Sequence, residues 1–212
     1  MEFEELAKEF LEEQVVGQRQ KLNRWKSITN QTSQIDTGYI AQHIVSIVTG
    51  IQGSGHRGKG FDLTDGSEVK SANFLDAIDK PRWNFTFNKK DEIKHLLSRP
   101  NIYLLSIDKC PLQMERIRIW KINPRANHTF LHRYIEWVGK LAISKFEDKK
   151  RPCVNFQLFP PRNQTKETFA RHGNNKRNGF PRLKIPLQNT HGSEIIFHAE
   201  INGQNVEIKE LD

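Results

Sequence analysis

Apolar side chains recur along this chain at two spacings, and the switches between them mark out its elements. Phe3, Leu6, Phe10 and Leu11 fall at helical spacing among charged residues, which predicts an amphipathic helix over 2–20 with that stripe packed on the domain or on a second subunit, core packing being the favoured of the two. Leu22, Trp25 and Ile28 continue it less regularly, and 29–34 is a polar break. A second helix is predicted over 37–49, capped by Asp36 or Thr37, with Ile40, Ile44, Ile47 and Val48 as its buried face. A third runs over 91–99 and stops at Pro100. The fourth, 130–145, carries Leu131, Tyr134, Ile135, Val138, Leu141 and Ala142 on one stripe.

Between these helices the period falls to two. Segments 61–63 and 67–71 alternate around Thr64-Asp65-Gly66, which is turn chemistry. Trp83, Phe85 and Phe87 alternate, and 102–107 is a continuous apolar run of strand length, the best candidate for a buried central strand. Segment 115–122 sets Ile117, Ile119 and Ile122 against Glu115, Arg116, Arg118 and Lys121, a strand with one wet basic face. Segment 154–159 reads as a further strand ended by Pro160-Pro161. At the end, 194–201 and 204–208 alternate around Asn202-Gly203, a strong short hairpin signal, whose Ile195, Phe197 and Ile201 face covers the core.

At 212 residues the chain suits one domain with a substantial core. Its 33 Lys and Arg against 25 Asp and Glu give a net charge of +8, a balance that favours a polyanionic partner. No apolar run approaches the roughly 20 residues of a membrane span, and the acidic start lacks the basic opening of a signal peptide, so no membrane partner and a cytoplasmic location are expected. Cys110 and Cys153 form no CxxC pair, which speaks against a disulfide framework or a zinc ribbon and leaves them as buried thiols.

The candidate chemistry sits on the first hairpin, and the turn decides whether there is a site at all. A two-residue Asp65-Gly66 loop would pair Asp62 with Val69 and put Asp62 on the opposite face from Glu68 and Lys70. A three-residue loop, with Thr64 and Asp65 in a type I turn and Gly66 left-handed, pairs Leu63 with Ser67 and Asp62 with Glu68. Asp62, Glu68 and Lys70 then share one face. Two neighbouring carboxylates repel, and a hard divalent cation between them relieves it; a small number of oxygen ligands suits Mg²⁺. With Lys70 orienting or helping to deprotonate a water, this is equipment for metal-assisted phosphodiester hydrolysis.

Asp62, followed after five residues by Glu68-Val69-Lys70, resembles the active-site motif of the PD-(D/E)XK nucleases, which include most type II restriction endonucleases. The run from Ala41 to Asn73, with Gly58-Lys59-Gly60 ahead of the aspartate and Arg82-Trp83-Asn84-Phe85 behind it, is similar to MamI-type restriction endonucleases. Phe61 rather than proline precedes the aspartate, at a position that varies widely in the superfamily. The resemblance implies an α/β (α+β) fold with an αβββαβ core, a mixed central sheet flanked by helices, plus the C-terminal hairpin. It implies Mg²⁺, replaceable by Mn²⁺, held by Asp62, Glu68 and the carbonyl of Val69, with Lys70 as the catalytic lysine. The chain would be a single nuclease domain over 1–212: an N-terminal helix and connector (1–34), a catalytic core (36–160), a basic DNA-contacting loop (162–184) and the hairpin (194–208). Double-stranded DNA would be its substrate, a homodimer its default assembly for paired cuts at a symmetric site, and a cognate DNA methyltransferase its functional partner.

Other residues fill out this picture. In the superfamily a helix preceding the motif often lends a polar residue to the site, and Gln42 and His43 are the candidates. The glycine-rich stretch 51–60 carries Arg57 and Lys59 and could bring backbone N–H groups and cations to a phosphate. Within 162–184, Arg162, Lys166, Arg171, Lys176, Arg177, Arg182 and Lys184 stand against Glu167 alone. Arg162, Arg171, His172, Asn174, Asn175, Lys176 and Arg177 are the candidate DNA contacts, since Arg pairs with guanine, Asn with adenine, and Lys with phosphates. Asn127-His128 hints at an HNH-type site, but no second His and Asn fall at a matching spacing. Two further readings stay open: a repair or nicking nuclease of the same fold, and a non-catalytic nucleic-acid-binding protein, which the basic charge serves equally well.

Overall fold

The structure, a computed structural model, describes residues 3–55, 61–76, 80–87, 92–109, 114–139, 154–162, 167–174 and 179–211. Helices α1 (Phe3–Leu11) and α2 (Gln18–Thr29) are joined by a π-helical turn, Glu12–Gly17, and followed by α3 (Thr37–Thr49). Then come β1 (Glu68–Asn73), β2 (Trp83–Phe87), α4 (Glu92–Ser98), β3 (Ile102–Lys109), β4 (Glu115–Ile122) and α5 (His128–Trp137). The chain ends with β5 (Val154–Leu158), β6 (Phe169–His172), β7 (Leu183–Pro186), β8 (Ser193–Asn202) and β9 (Asn205–Ile208).

The central sheet has five strands in the order β1-β3-β4-β8-β9. Only β1 and β3 run parallel within it, so it is mixed, and β1 is an edge. Alternation along β3 explains the layers. Ile102 and Leu104 point into a core shared with β2, β5 and α5, around Trp83, Phe85, Phe130 and Phe156. Tyr103, Leu105 and Ile107 point into a second core shared with α1 and α3. Every residue from Ile102 to Asp108 is buried, as a strand covered on both faces requires. This is the mixed α+β sheet flanked by helices that the sequence leads one to expect.

Membership of that sheet differs from the expectation. The strand after α5 does not join it: β5 pairs with β2 as a separate antiparallel pair, Phe85 opposite Phe156. The C-terminal hairpin takes the place instead, with β8 paired to β4. Opposite Ile119 and Trp120 the register of β8 slips from Phe197 to Ile195, a bulge that sends Ile195 to one core and Phe197 to the other. The hairpin turn is also one residue later than predicted, since Asn202 pairs with Asn205 and Gly203 takes φ 63°.

Three surfaces read differently once packed. In α1 the buried stripe is Ala7 and Leu11, continued by Val15 and Val16, while Phe3 and Leu6 are exposed. The small Ala7 lets the helix approach α3 closely, which a stripe of large residues would prevent. The basic face of β4 is dry: Arg116 grips Asp108 through Nε and Nη2 at 2.9 and 2.8 Å, and Arg118 reaches the same carboxylate at 3.2 Å. Finally, 162–184 is not all loop, because β6 and β7 form a hairpin within it, Arg171 opposite Lys184.

Candidate active site

The turn that precedes β1 is built by Asp65. Its Oδ1 accepts from the Ser67 N–H at 2.8 Å and its Oδ2 from the Ser67 hydroxyl at 2.9 Å. Gly66 donates to the Leu63 carbonyl at 3.0 Å with φ 91°, a backbone conformation that favours glycine. Leu63 and Asp62 both donate to the Ser67 carbonyl, each at 3.2 Å. This is the three-residue loop. Segment 61–63 is nonetheless no strand of a regular hairpin, because the inner edge of β1 is already taken by β3, with Glu68 donating to Asn101 at 3.2 Å. Its support comes from the other side: Ser54 donates to the Asp62 carbonyl and Thr64 to the Gln52 carbonyl, both at 2.9 Å.

Asp62 reaches β1 with its side chain. Oδ2 accepts from the Val69 N–H at 2.7 Å and Oδ1 from Gln42 Nε2 at 2.7 Å. In a strand the N–H and C=O of one residue point the same way, so the Val69 carbonyl also faces outward from the sheet edge, on the side of Asp62. Glu68 and Lys70 flank Val69 on the opposite pleat and share a face. Glu68 is ion-paired by Lys70 at one oxygen and by Arg99 at the other. Arg99 stands just past α4, its guanidinium 5.5 Å from the centre of the Phe61 ring. Burial pushes the Lys70 ammonium below the ordinary lysine range, with Asp62 working against that shift. Arg99 is lowered by burial in the same way, again opposed first by Asp62.

The donors available to a cation are hard oxygens: two carboxylates and an outward-facing carbonyl. Among the described residues no group of three or more His, Cys, Asp and Glu gathers for a metal. Mg²⁺, which keeps several of its waters and binds through one or two carboxylates, fits such a set, whereas a zinc site with its nitrogen and sulfur ligands does not. A cleft of about 300 Å³ opens beside Asp62, lined by Tyr39, Gln42, His43, Ser46, Gly53, Ser54 and Gly55 among others. Both helix candidates therefore line it, although only Gln42 bonds to the motif; His43 stacks toward Phe10, ring centres 5.6 Å apart.

The candidate DNA contacts divide. Arg57, Lys59, Asn175, Lys176 and Arg177 lie outside the described residues, as do Cys110 and Cys153. Arg162 places its guanidinium 5.3 Å from the Phe74 ring centre while its N–H donates to Glu167 at 3.0 Å. Arg171 is half-buried, 3.7 Å from Glu167, and Asn174 is exposed. His172 points inward: it is 2 % exposed, stacked on Phe156 at 4.2 Å and edge-on to Trp137 at 4.8 Å. That corrects its expected place on a DNA-facing loop, since strand alternation in β6 turns it away from Arg171. Asn127 proves to be the N-cap of α5, accepting from Phe130 at 3.0 Å. Arg99 is the site residue that sequence reasoning missed; it meets Glu68 from 31 positions away, with no local pattern to announce it.

Residues 24–199 match the sequence model of the MamI restriction endonuclease family. Over 159 residues the chain is 37 % identical to the type II restriction enzyme MamI of Microbacterium ammoniaphilum, an alignment covering 66 % of this chain and 48 % of that enzyme. The chain thus spans about half the length of the curated relative it matches. No solved structure matches it.

Proposed function

This chain belongs to the MamI restriction endonuclease family, and we propose that it is a type II restriction endonuclease that hydrolyses both strands of double-stranded DNA at a specific sequence, with Asp62, Glu68 and Lys70 as its catalytic residues. The observation that carries the reading is the seating of the Asp62 carboxylate against the Val69 N–H at 2.7 Å, on the strand that presents Glu68 and Lys70. The turn, the strand edge and the pleat that bring these three residues near one another support that reading over a merely solvated hairpin.

Asp62, Glu68 and the Val69 carbonyl are the groups that would hold Mg²⁺, or Mn²⁺ in its place, and the bound ion supplies Lewis acidity at the scissile phosphate. Gln42 orients Asp62 by fixing the oxygen that Val69 does not. Lys70, with its proton made less costly to lose by burial, orients the attacking water and exchanges a proton with it, and in its charged form it faces the negative charge that develops on the phosphate. Arg57, Lys59, Arg162, Arg171 and 174–177 supply the basic surface along the duplex, phosphate contacts fixing register and a few side chains reading bases. His172, buried against Phe156, supports the strand that carries Arg171. Cutting both strands of a symmetric site calls for two such chains related by a two-fold. The enzyme would work in the cytoplasm beside a methyltransferase that protects the same sequence; no helix among the described residues is long and apolar enough to cross a membrane.

Incubating the chain with a sequenced plasmid, with and without Mg²⁺, tests this reading. Discrete fragments that need the metal, and that vanish in Asp62→Asn, Glu68→Gln and Lys70→Ala while gel-shift binding persists, are the expected result. Nicks in one strand only would point to the repair-nuclease reading. DNA that shifts but stays intact under Mg²⁺ and Mn²⁺ would leave a binding protein.

A further inference from the structure

Both oxygens of Glu68 are engaged. One is taken by Lys70 and the other by Arg99, and the Glu68 side chain is only 11 % exposed. Asp62, Glu68, Lys70 and Arg99 sum to zero formal charge, so the two carboxylates are already balanced by cations of the chain itself. Both cations contact Glu68, and Asp62 is the first group to favour the charge of each against burial. A divalent cation joining Asp62 and Glu68 enters a set that is neutral beforehand, and it competes with the resident cations for the Glu68 oxygens.

The two are not equally free to give way. Lys70 is fixed two positions from Glu68 on the same strand, and its ammonium lies 6.0 Å from the Phe85 ring centre, against the core. Arg99 belongs to a separate segment, anchored by its N–H to the Leu96 carbonyl at 3.2 Å, and reaches Glu68 at the end of a long side chain. While it pairs with Glu68 its guanidinium already lies 5.5 Å from the centre of the Phe61 ring, which is 42 % exposed and extends the path toward solvent. An arginine over an aromatic face keeps its charge and gains access to solvent or to a phosphate.

We propose that Arg99 is a displaceable occupant of the metal position: it neutralises Glu68 in the metal-free chain, and when a divalent cation binds it moves off Glu68 along the Phe61 ring to meet a DNA phosphate. The proposal rests on the nuclease reading above and assigns Arg99 two successive partners. It makes the site self-sealing without metal and couples metal entry to a new DNA contact.

Metal binding without DNA separates the two ideas. Free Mn²⁺ is measured by electron paramagnetic resonance in titrations of the wild-type chain and of Arg99→Gln, Arg99→Lys and Glu68→Gln, each checked by a thermal melt. Arg99→Gln should bind Mn²⁺ on the order of tenfold more tightly, the scale of one charge-assisted hydrogen bond no longer competing, and Arg99→Lys should stay close to wild type. Should Arg99→Gln fail to fold, Arg99→Met, which keeps an unbranched aliphatic stem without the charge, carries the same expectation. In Ca²⁺, the salt slope of DNA binding should become shallower by about 0.9 in the neutral variant, because one phosphate fewer is neutralised, with no change in EDTA. Mn²⁺ binding that is unchanged or weaker in the neutral variant would overturn the displacement and make Arg99 a fixed support. Mn²⁺ binding that Glu68→Gln leaves intact would overturn the metal reading of the site, and the displacement with it.

Discussion

Gln42 and the Val69 N–H hold the two oxygens of Asp62 at 2.7 Å each, so the direction of that carboxylate is set before any cation arrives. Losing one of such outer supports typically costs 10- to 100-fold in metal affinity or activity. Gln42→Leu should therefore cut plasmid cleavage by about that factor with a melting temperature near wild type; cleavage at the wild-type rate would show that Val69 alone orients Asp62. His172 gives a second test. Burial among Phe156 and Trp137, with Arg133 adding to it, lowers its pKa to about 4. The unfolded chain then binds more protons than the folded one between about pH 6.5 and 4, so stability falls as pH drops through that window and levels off below it, by roughly 3 kcal/mol at most. His172→Phe should flatten the difference, read as melting temperature against pH for the two proteins. The identities and spacing of Asp62, Glu68 and Lys70 are visible in the sequence because one turn and one strand carry them all. Arg99 and the burial of His172 are not, because each depends on partners brought from elsewhere in the chain.

Elements here are held at their joints. Gly192 lies where β8 begins, its carbonyl accepting from Asn123 at 2.8 Å, with φ 80°, and a Cβ on it would stand 2.4 Å from Asn127 N and 2.6 Å from Ala126 C. Those neighbours are backbone and cannot yield cheaply. Gly192→Ala should cost about 3 kcal/mol or more through strain and the displaced cap of α5, measured by denaturant unfolding; a cost near zero would mean that the loop reshapes freely. The strands and helices themselves are mostly legible, since period and caps are local properties: α3 begins at the Asp36 cap, whose Oδ1 accepts from Gly38 and Tyr39. What periodicity does not carry is which face meets which neighbour. Phe3 and Leu6 are the large residues of the first stripe, yet Ala7 is the one buried. Arg116 and Arg118 read as wet until Asp108, on the paired strand, is set across from them. Likewise β6 and β7 hide in a run of Arg, Lys and Asn because their apolar partners lie on α5 and β5.

For the whole molecule, the sheet sorts its duties by end. Glu68 and Lys70 stand at the start of β1, registered on the start of β3, with Asp62 on the segment before it, while Asp108, Arg116 and Arg118 lock the other end of β3 and β4. A net charge of +8 and the basic stretch 162–184 favour a polyanion over much of the surface. If two chains act on one symmetric site, sedimentation should show a species of twice the chain mass on its cognate duplex; a single chain bound per duplex, still cutting both strands, would remove the two-fold.

The outer edge of β1, the last strand on its side of the sheet, has a consequence of another kind. An open strand edge is a template for pairing with another molecule, and here the Val69 N–H that could begin such pairing is occupied by the Asp62 carboxylate. Asp62→Ala would silence the chemistry and unguard the edge together, whereas Asp62→Asn leaves an oxygen in place to accept that N–H. Light scattering of the two stored proteins should show the alanine form growing into larger species while the asparagine form stays dispersed. Equal behaviour would mean that the neighbouring segment 52–54 shields the edge by itself. On the first outcome, the carboxylate assigned to catalysis would also guard this one strand edge against pairing with another copy.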